Sequence, residues 1–139
     1  MGRRKQNRET DPPNSANSLT EAEWIILRVV WENEPCTAGD VQEAVAKTKD
    51  WAYSTVKTMM DRMVQKGLLK TEKIRNLQLF RARISQDDAR KSEFRKMLER
   101  AFEGAITPMM QFLVDQEEFS VEELKYLRQL ANKAQRTKG

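Results

Sequence analysis

The sequence predicts a mainly α-helical fold with one small β-hairpin: a head of three helices and the hairpin, then a second helical region. Three observations lead there. Apolar residues recur at helical spacing from about Leu19 to Lys66 and again from Ser85 onward, whereas between Leu68 and Ile84 they tend to alternate with polar ones. Thr20-Glu21-Ala22-Glu23 and Ser120-Val121-Glu122-Glu123 have the capping-box form, in which a hydroxyl and a carboxylate three residues apart satisfy free amides at a helix start. Gly67 stands where helical spacing gives way to alternation, the position at which glycine ends a helix in a left-handed conformation.

Taken in order, residues 1–18 lack periodicity and carry Pro12 and Pro13, so a disordered basic tail is expected there. Solubility is the preferred role for its Arg3, Arg4, Lys5 and Arg8, ahead of phosphate contact. The first helix runs from the Thr20 cap to about Asn33, with Trp24, Leu27 and Trp31 on one side and Ile26 and Val30 alongside; Pro35 stops it. Glu34-Pro35-Cys36-Thr37 then turns, and Thr37 caps a second helix that reaches about Lys47 on a narrow apolar edge of Val41, Ala44 and Val45.

A third helix spans Tyr53 to Lys66. Val56, Met59, Met60, Met63 and Val64 form its apolar stripe, which reads as core packing and not as a cofactor box. Ser54, Lys57, Thr58, Asp61 and Gln65 occupy the opposite face, flanked by Thr55 and Arg62. Two strands follow, Leu68–Ile74 and Leu77–Ile84, joined at Arg75-Asn76, where Asn76 is expected to tolerate the positive φ of a tight hairpin. In the second strand Leu77, Leu79 and Phe80 compete for the inward side, a conflict that a bulge or register shift would resolve. Beyond Ser85, Phe94, Met97, Leu98, Ala101 and Phe102 form one stripe, interrupted by Gly104. Ile106, Met109, Met110 and Leu113 form a second, with Pro108 in the first turn. A last helix carries Leu124, Leu127, Leu130, Ala131 and Ala134 on one side.

Composition narrows the function. At 139 residues, 39% hydrophobic and 33% charged, the chain fits a small head with a helical extension. No apolar run approaches the roughly 20 residues that span a bilayer. Nor does an apolar segment follow the basic N-terminus, so no signal peptide, no membrane partner and a cytoplasmic location are expected. Cys36 is the single cysteine, and histidine is absent. An intramolecular disulfide and a cysteine-rich metal cage are therefore excluded, and the commonest general base and metal ligand are missing. No catalytic residue, metal ligand or cofactor is expected, and the chain does not read as an enzyme.

The net charge of +4 is unevenly spread. Residues 51–84 hold eight cations (Lys57, Arg62, Lys66, Lys70, Lys73, Arg75, Arg81, Arg83) against two anions (Asp61, Glu72), a net of +6. Residues 85–139 hold ten of each. One stretch is suited to a polyanion and the other is electrostatically neutral.

Three helices followed by two strands with a basic turn is the winged-helix order, in which the third helix enters the major groove of DNA and the hairpin lies along the flanking backbone. On that reading Ser54, Thr55, Lys57 and Thr58 meet base edges or phosphates, and Arg62 anchors a phosphate. Lys70, Lys73, Arg75 and Arg81 on the wing supply attraction that does not depend on sequence.

The stretches AEWIILRVVWENEPCTAGDVQEAV and KTKDWAYSTVKTMMDRMVQKGLLKTEK closely resemble the BlaI/MecI/CopY (penicillinase repressor) family of bacterial repressors. The matching features are Ala22-Glu23-Trp24, Trp31, Trp51, Ser54-Thr55-Val56-Lys57-Thr58, the Lys66-Gly67 helix end and the wing aromatic Phe80, within coverage from about Leu19 to Ala131. The resemblance implies a homodimeric repressor that binds an imperfect palindromic operator in double-stranded DNA through two winged-helix heads. It further implies that the C-terminal helices intertwine. Phe94, Leu98, Phe102, Met109, Leu113, Leu124, Leu127 and Leu130 are the expected dimerisation residues, since a small head cannot cover so many apolar side chains. An intramolecular helical bundle is the competing arrangement.

The expected organisation is therefore a tail at 1–18, a winged-helix DNA-binding head at 19–84 and a dimerisation region at 85–139. Departures from the family concern the signal. Copper-sensing members carry a Cys-x-Cys pair that LANKAQRTKG lacks. Members released by a sensor protease are cut at an Asn-Phe bond, for which the nearest counterpart is Phe112-Leu113. The wing tip is altered to Arg75-Asn76. A winged-helix adaptor for other proteins is the alternative function; it would call for an acidic or apolar outer face on the third helix, the opposite of what stands here.

Overall fold

The computed structural model describes residues 19–116 and 118–138. The tail expected at residues 1–18 lies outside them. Two units are distinguished, one ending at Met97 and one beginning at Leu98.

The first unit opens with α1 (Glu21–Asn33) and α2 (Ala38–Val45). Both start on complete capping boxes: Glu23 N–H donates to Thr20 Oγ1 at 3.1 Å and Thr20 N–H to Glu23 Oε1 at 2.9 Å. Thr37 and Asp40 repeat the pattern at 3.0 Å in both directions. α3 (Tyr53–Gln65) ends where expected, with Gly67 at φ 85°. Gly67 N–H donates to Val64 O and Leu68 N–H to Met63 O, the paired bonds that close a helix through a left-handed residue.

These helices share a core of Ile26, Leu27 and Val30 from α1, Val41 and Val45 from α2, and Val56, Met60 and Met63 from α3, all buried. Met59 and Val64 pack at its margin, so the methionine stripe is core as expected. Trp24 and Trp31 meet edge to face at 5.9 Å, and the Trp31 indole N–H donates to Ile84 O at 2.9 Å, tying α1 to the end of the hairpin.

The hairpin, β1 (Leu69–Ile74) and β2 (Leu77–Ala82), is antiparallel with an uninterrupted register from Leu69 opposite Ala82 to Ile74 opposite Leu77. No bulge intervenes. Phe80 takes the inward place and is fully buried, whereas Leu77 is 57% exposed. The reason lies outside the hairpin: Cys36 and Phe80 exchange backbone hydrogen bonds of 3.2 and 2.7 Å, so the α1–α2 turn adds a one-residue third strand against β2. The positive φ at the tip falls on Arg75 (59°), not on Asn76, because the two-residue loop demands it at the first central position.

α4 (Gln86–Phe102) begins in this unit. The unit reaches Met97: Ala89 is fully buried in the core and Leu19 N–H donates to Glu93 Oε2 at 3.1 Å.

In the second unit α4 ends through Glu103 (φ 53°) and Gly104 (φ 82°), and α5 (Ile106–Gln116) and α6 (Val121–Lys138) follow. Ser120 and Glu123 complete the capping box predicted for the last helix. The Phe102 and Phe112 rings meet at 5.7 Å. Neither α5 nor α6 contains a buried residue.

Candidate nucleic-acid interface

The polar face of α3 is held outward by three anchors. Its apolar stripe fixes the rotation of the helix about its axis. Gln42 of α2 donates from its side-chain amide to Trp51 O at 3.2 Å, which holds the segment entering α3. At the other end Lys66 donates to Glu23, a carboxylate only 9% exposed that also closes the α1 capping box. A single acidic side chain thus joins the start of α1 to the end of α3.

On this scaffold Ser54, Thr55, Thr58 and Arg62 are exposed. Lys57 is half-buried, its ammonium bonded to both Asp61 carboxylate oxygens at 3.0 and 2.8 Å one helical turn away. α3 differs from α1 and α2 at its start: the N-cap is Ala52, no side chain caps it, and its first turn has no acid. Its first amides are therefore open to an external acceptor such as phosphate oxygen.

The hairpin register distributes the expected wing cations. Lys70 stands directly opposite Arg81, while Lys73 stands opposite Gln78 on the other face and Arg75 occupies the tip. Lys70, Lys73 and Arg75 are exposed. Arg81 is half-buried, and its Nε donates to Glu72 Oε1 at 3.1 Å. All nine residues expected to contact DNA belong to the first unit.

Sequence reasoning missed two features of this surface. Tyr53 is 52% exposed beside Ser54, although helical spacing groups it with Val56 and Met60. The pairing of Asp61 and Glu72 also went unread; i,i+4 spacing signals the first pair, but the second depends on strand register.

Cys36, in the α1–α2 turn against β2, is 2% exposed. Burial, with Asp40 and then Glu34 nearby, pushes its thiol up to about 11, so it stays protonated at neutral pH. Among the described residues no group of three or more Cys, Asp or Glu side chains could hold a metal ion, and no helix is long and apolar enough to cross a membrane.

Most residues expected to bury against a second copy are partly or largely open in the single chain. Phe94 is 39%, Leu113 40%, Leu124 51%, Leu127 44% and Leu130 44% exposed, with Phe102 and Met109 half-buried. Leu98 departs from the group: at 8% exposure it is already covered within the chain. Phe112-Leu113 lies inside α5.

A protein-family model described as Penicillinase repressor matches residues 19–133. Methicillin resistance regulatory protein MecI of Staphylococcus aureus (strain N315) is 22% identical over 120 residues, covering 86% of this chain and 98% of that protein. Penicillinase repressor of Bacillus licheniformis is 24% identical over 112 residues, covering 81% and 88%. Among solved structures, the Bacillus licheniformis BlaI monomeric form in complex with the blaP half-operator aligns at 25% identity with a TM-score of 0.46, covering 52% of this chain and 88% of that one.

Proposed function

Because the chain belongs to the penicillinase repressor family, we propose that it is a transcriptional repressor that binds an operator in double-stranded DNA as a homodimer. The observation that carries the reading is the two-sided character of α3. Val56, Met60 and Met63 lock one side into the core, while Ser54, Thr55, Thr58 and Arg62 are exposed on a helix whose first amides are uncapped.

In this mechanism the start of α3 enters the major groove. Ser54, Thr55, Lys57 and Thr58 read base edges or nearby phosphates, and Arg62 takes a phosphate. Lys70, Lys73, Arg75 and Arg81 hold the backbone beside the groove and make affinity salt-dependent. The exposed apolar side chains of α4, α5 and α6 support a dimer, since Leu124, Leu127 and Leu130 recur on one side of α6 and stay about half exposed in the single chain. Two heads on one symmetric dimer would match a palindrome. Release follows an unidentified signal. A sensor protease acting at Phe112-Leu113 would have to unwind α5 first, because that bond lies inside the helix.

The test is a fluorescence anisotropy titration with a duplex from upstream of the chain's own gene and with a duplex of random sequence, over a range of salt. The upstream duplex is expected to bind more tightly, and each phosphate neutralised steepens the dependence by about 0.9 log unit per log unit of salt. Lys57→Ala lowers affinity for the upstream duplex selectively, whereas Lys73→Ala weakens both duplexes alike. A parent that binds neither duplex at low salt overturns the proposal and favours the adaptor.

A further inference from the structure

The two carboxylates of the basic stretch pair with two of the cations assigned to DNA. Asp61 and Glu72 are the only anions among residues 51–84. Asp61 binds Lys57 of α3 and Glu72 binds Arg81 of the wing. The pairs sit on different elements, one made by helical spacing and the other diagonally across the strand register. With Lys57 31%, Asp61 49%, Arg81 43% and Glu72 47% exposed, both pairs are open to water and within reach of an incoming anion.

From this we infer that Asp61 and Glu72 are specificity-determining residues that act through Lys57 and Arg81 by holding each cation against a resident carboxylate. The inference rests on the DNA-binding reading above. An arbitrary phosphate gains little by displacing a carboxylate of similar geometry, and leaves that carboxylate unpaired beside the polyanion. A duplex whose base edges also engage Ser54, Thr55 and Thr58 makes contacts that offset the exchange. The carboxylates thus act mainly against non-specific binding. Among the described residues Arg62, Lys70, Lys73 and Arg75 make no ion pair of this kind, and would carry the sequence-independent attraction.

The experiment uses the full chain and a random-sequence duplex, comparing the parent with Asp61→Asn and Glu72→Gln, each also made with its cation removed (Lys57→Met, Arg81→Met). Each single carboxylate variant is expected to bind the random duplex more tightly and to steepen its salt dependence by about 0.9 log unit per log unit of salt. The advantage over the parent then shrinks by about 3.5-fold across a fourfold rise in salt. With the paired cation removed, the same carboxylate change has no such effect. That second arm separates pairing from net charge. Unchanged affinity and slope in the single variants, or an equal effect with and without the partner cation, overturns the inference while parental DNA binding stands. Failure of the parent to bind any duplex removes the DNA-binding reading itself.

Discussion

Truncating the three apolar residues of β2 one at a time tests the register on which the wing depends. Phe80 is fully buried, Leu79 half-buried and Leu77 57% exposed. An aromatic side chain buries about 150–250 Å². At about 25 cal/mol per Å² the whole residue is worth about 4–6 kcal/mol. Alanine retains the first carbon, and the walls of the site relax only in part, so Phe80→Ala should cost about 3–5 kcal/mol. A domain of this size has about 5–15 kcal/mol to lose. Leu79→Ala should cost about 1 kcal/mol, and Leu77→Ala should stay within about 0.5 kcal/mol of the parent. Trp24, Trp31 and Trp51 are the only tryptophans and all belong to the first unit, so tryptophan emission in urea reports on the head within the full chain. A slip of one residue would exchange the two faces of the strand. Leu77→Ala or Leu79→Ala costing as much as Phe80→Ala would therefore refute the register and the Cys36 bridge together.

Glu23→Ala removes the Thr20 N–H acceptor and the Lys66 partner at once, and should lower stability by about 2 kcal/mol in the same urea assay; a loss under about 0.5 kcal/mol would deny the α1–α3 link. The native Cys36 thiol, raised to about 11 from an ordinary 9.0, holds its proton more tightly than the unfolded chain does. Its contribution is therefore complete below pH 9.0 and is lost as pH rises toward about 11, so Cys36→Ser should flatten the urea midpoint over that window. The same burial predicts slow alkylation of Cys36 at neutral pH, quickening in urea; rapid labelling of the native chain would contradict it. Leu127→Lys, at a residue 44% exposed in the single chain, should turn a dimer into a monomer by sedimentation while leaving the tryptophan-monitored midpoint unchanged; a variant that remains dimeric would remove that face of α6 from the interface.

Much of the head was legible because its signals are local. Thr20 with Glu23 and Thr37 with Asp40 lie within one turn, and Gly67 ends its helix by its own backbone freedom. The α3 stripe sorts buried from exposed by period alone. The exposure of Ser54, Thr55, Thr58 and Arg62 was legible for the same reason, since they fall off that stripe. The state of their neighbours was not. Whether Arg81 stands free or against Glu72 depends on which residues of β1 and β2 face each other.

By itself the sequence determined the helices, their caps, the exposed face of α3 and the concentration of positive charge, because each follows from residues a few positions apart. Only the tertiary structure decided that Phe80 and not Leu77 enters the core, that the first unit extends to Met97, and that one carboxylate joins α1 to α3. Those outcomes depend on groups distant in the chain: Cys36 against β2, Glu93 against Leu19, Glu23 against Lys66. No local preference encodes such contacts, since their energy appears only when separate segments meet.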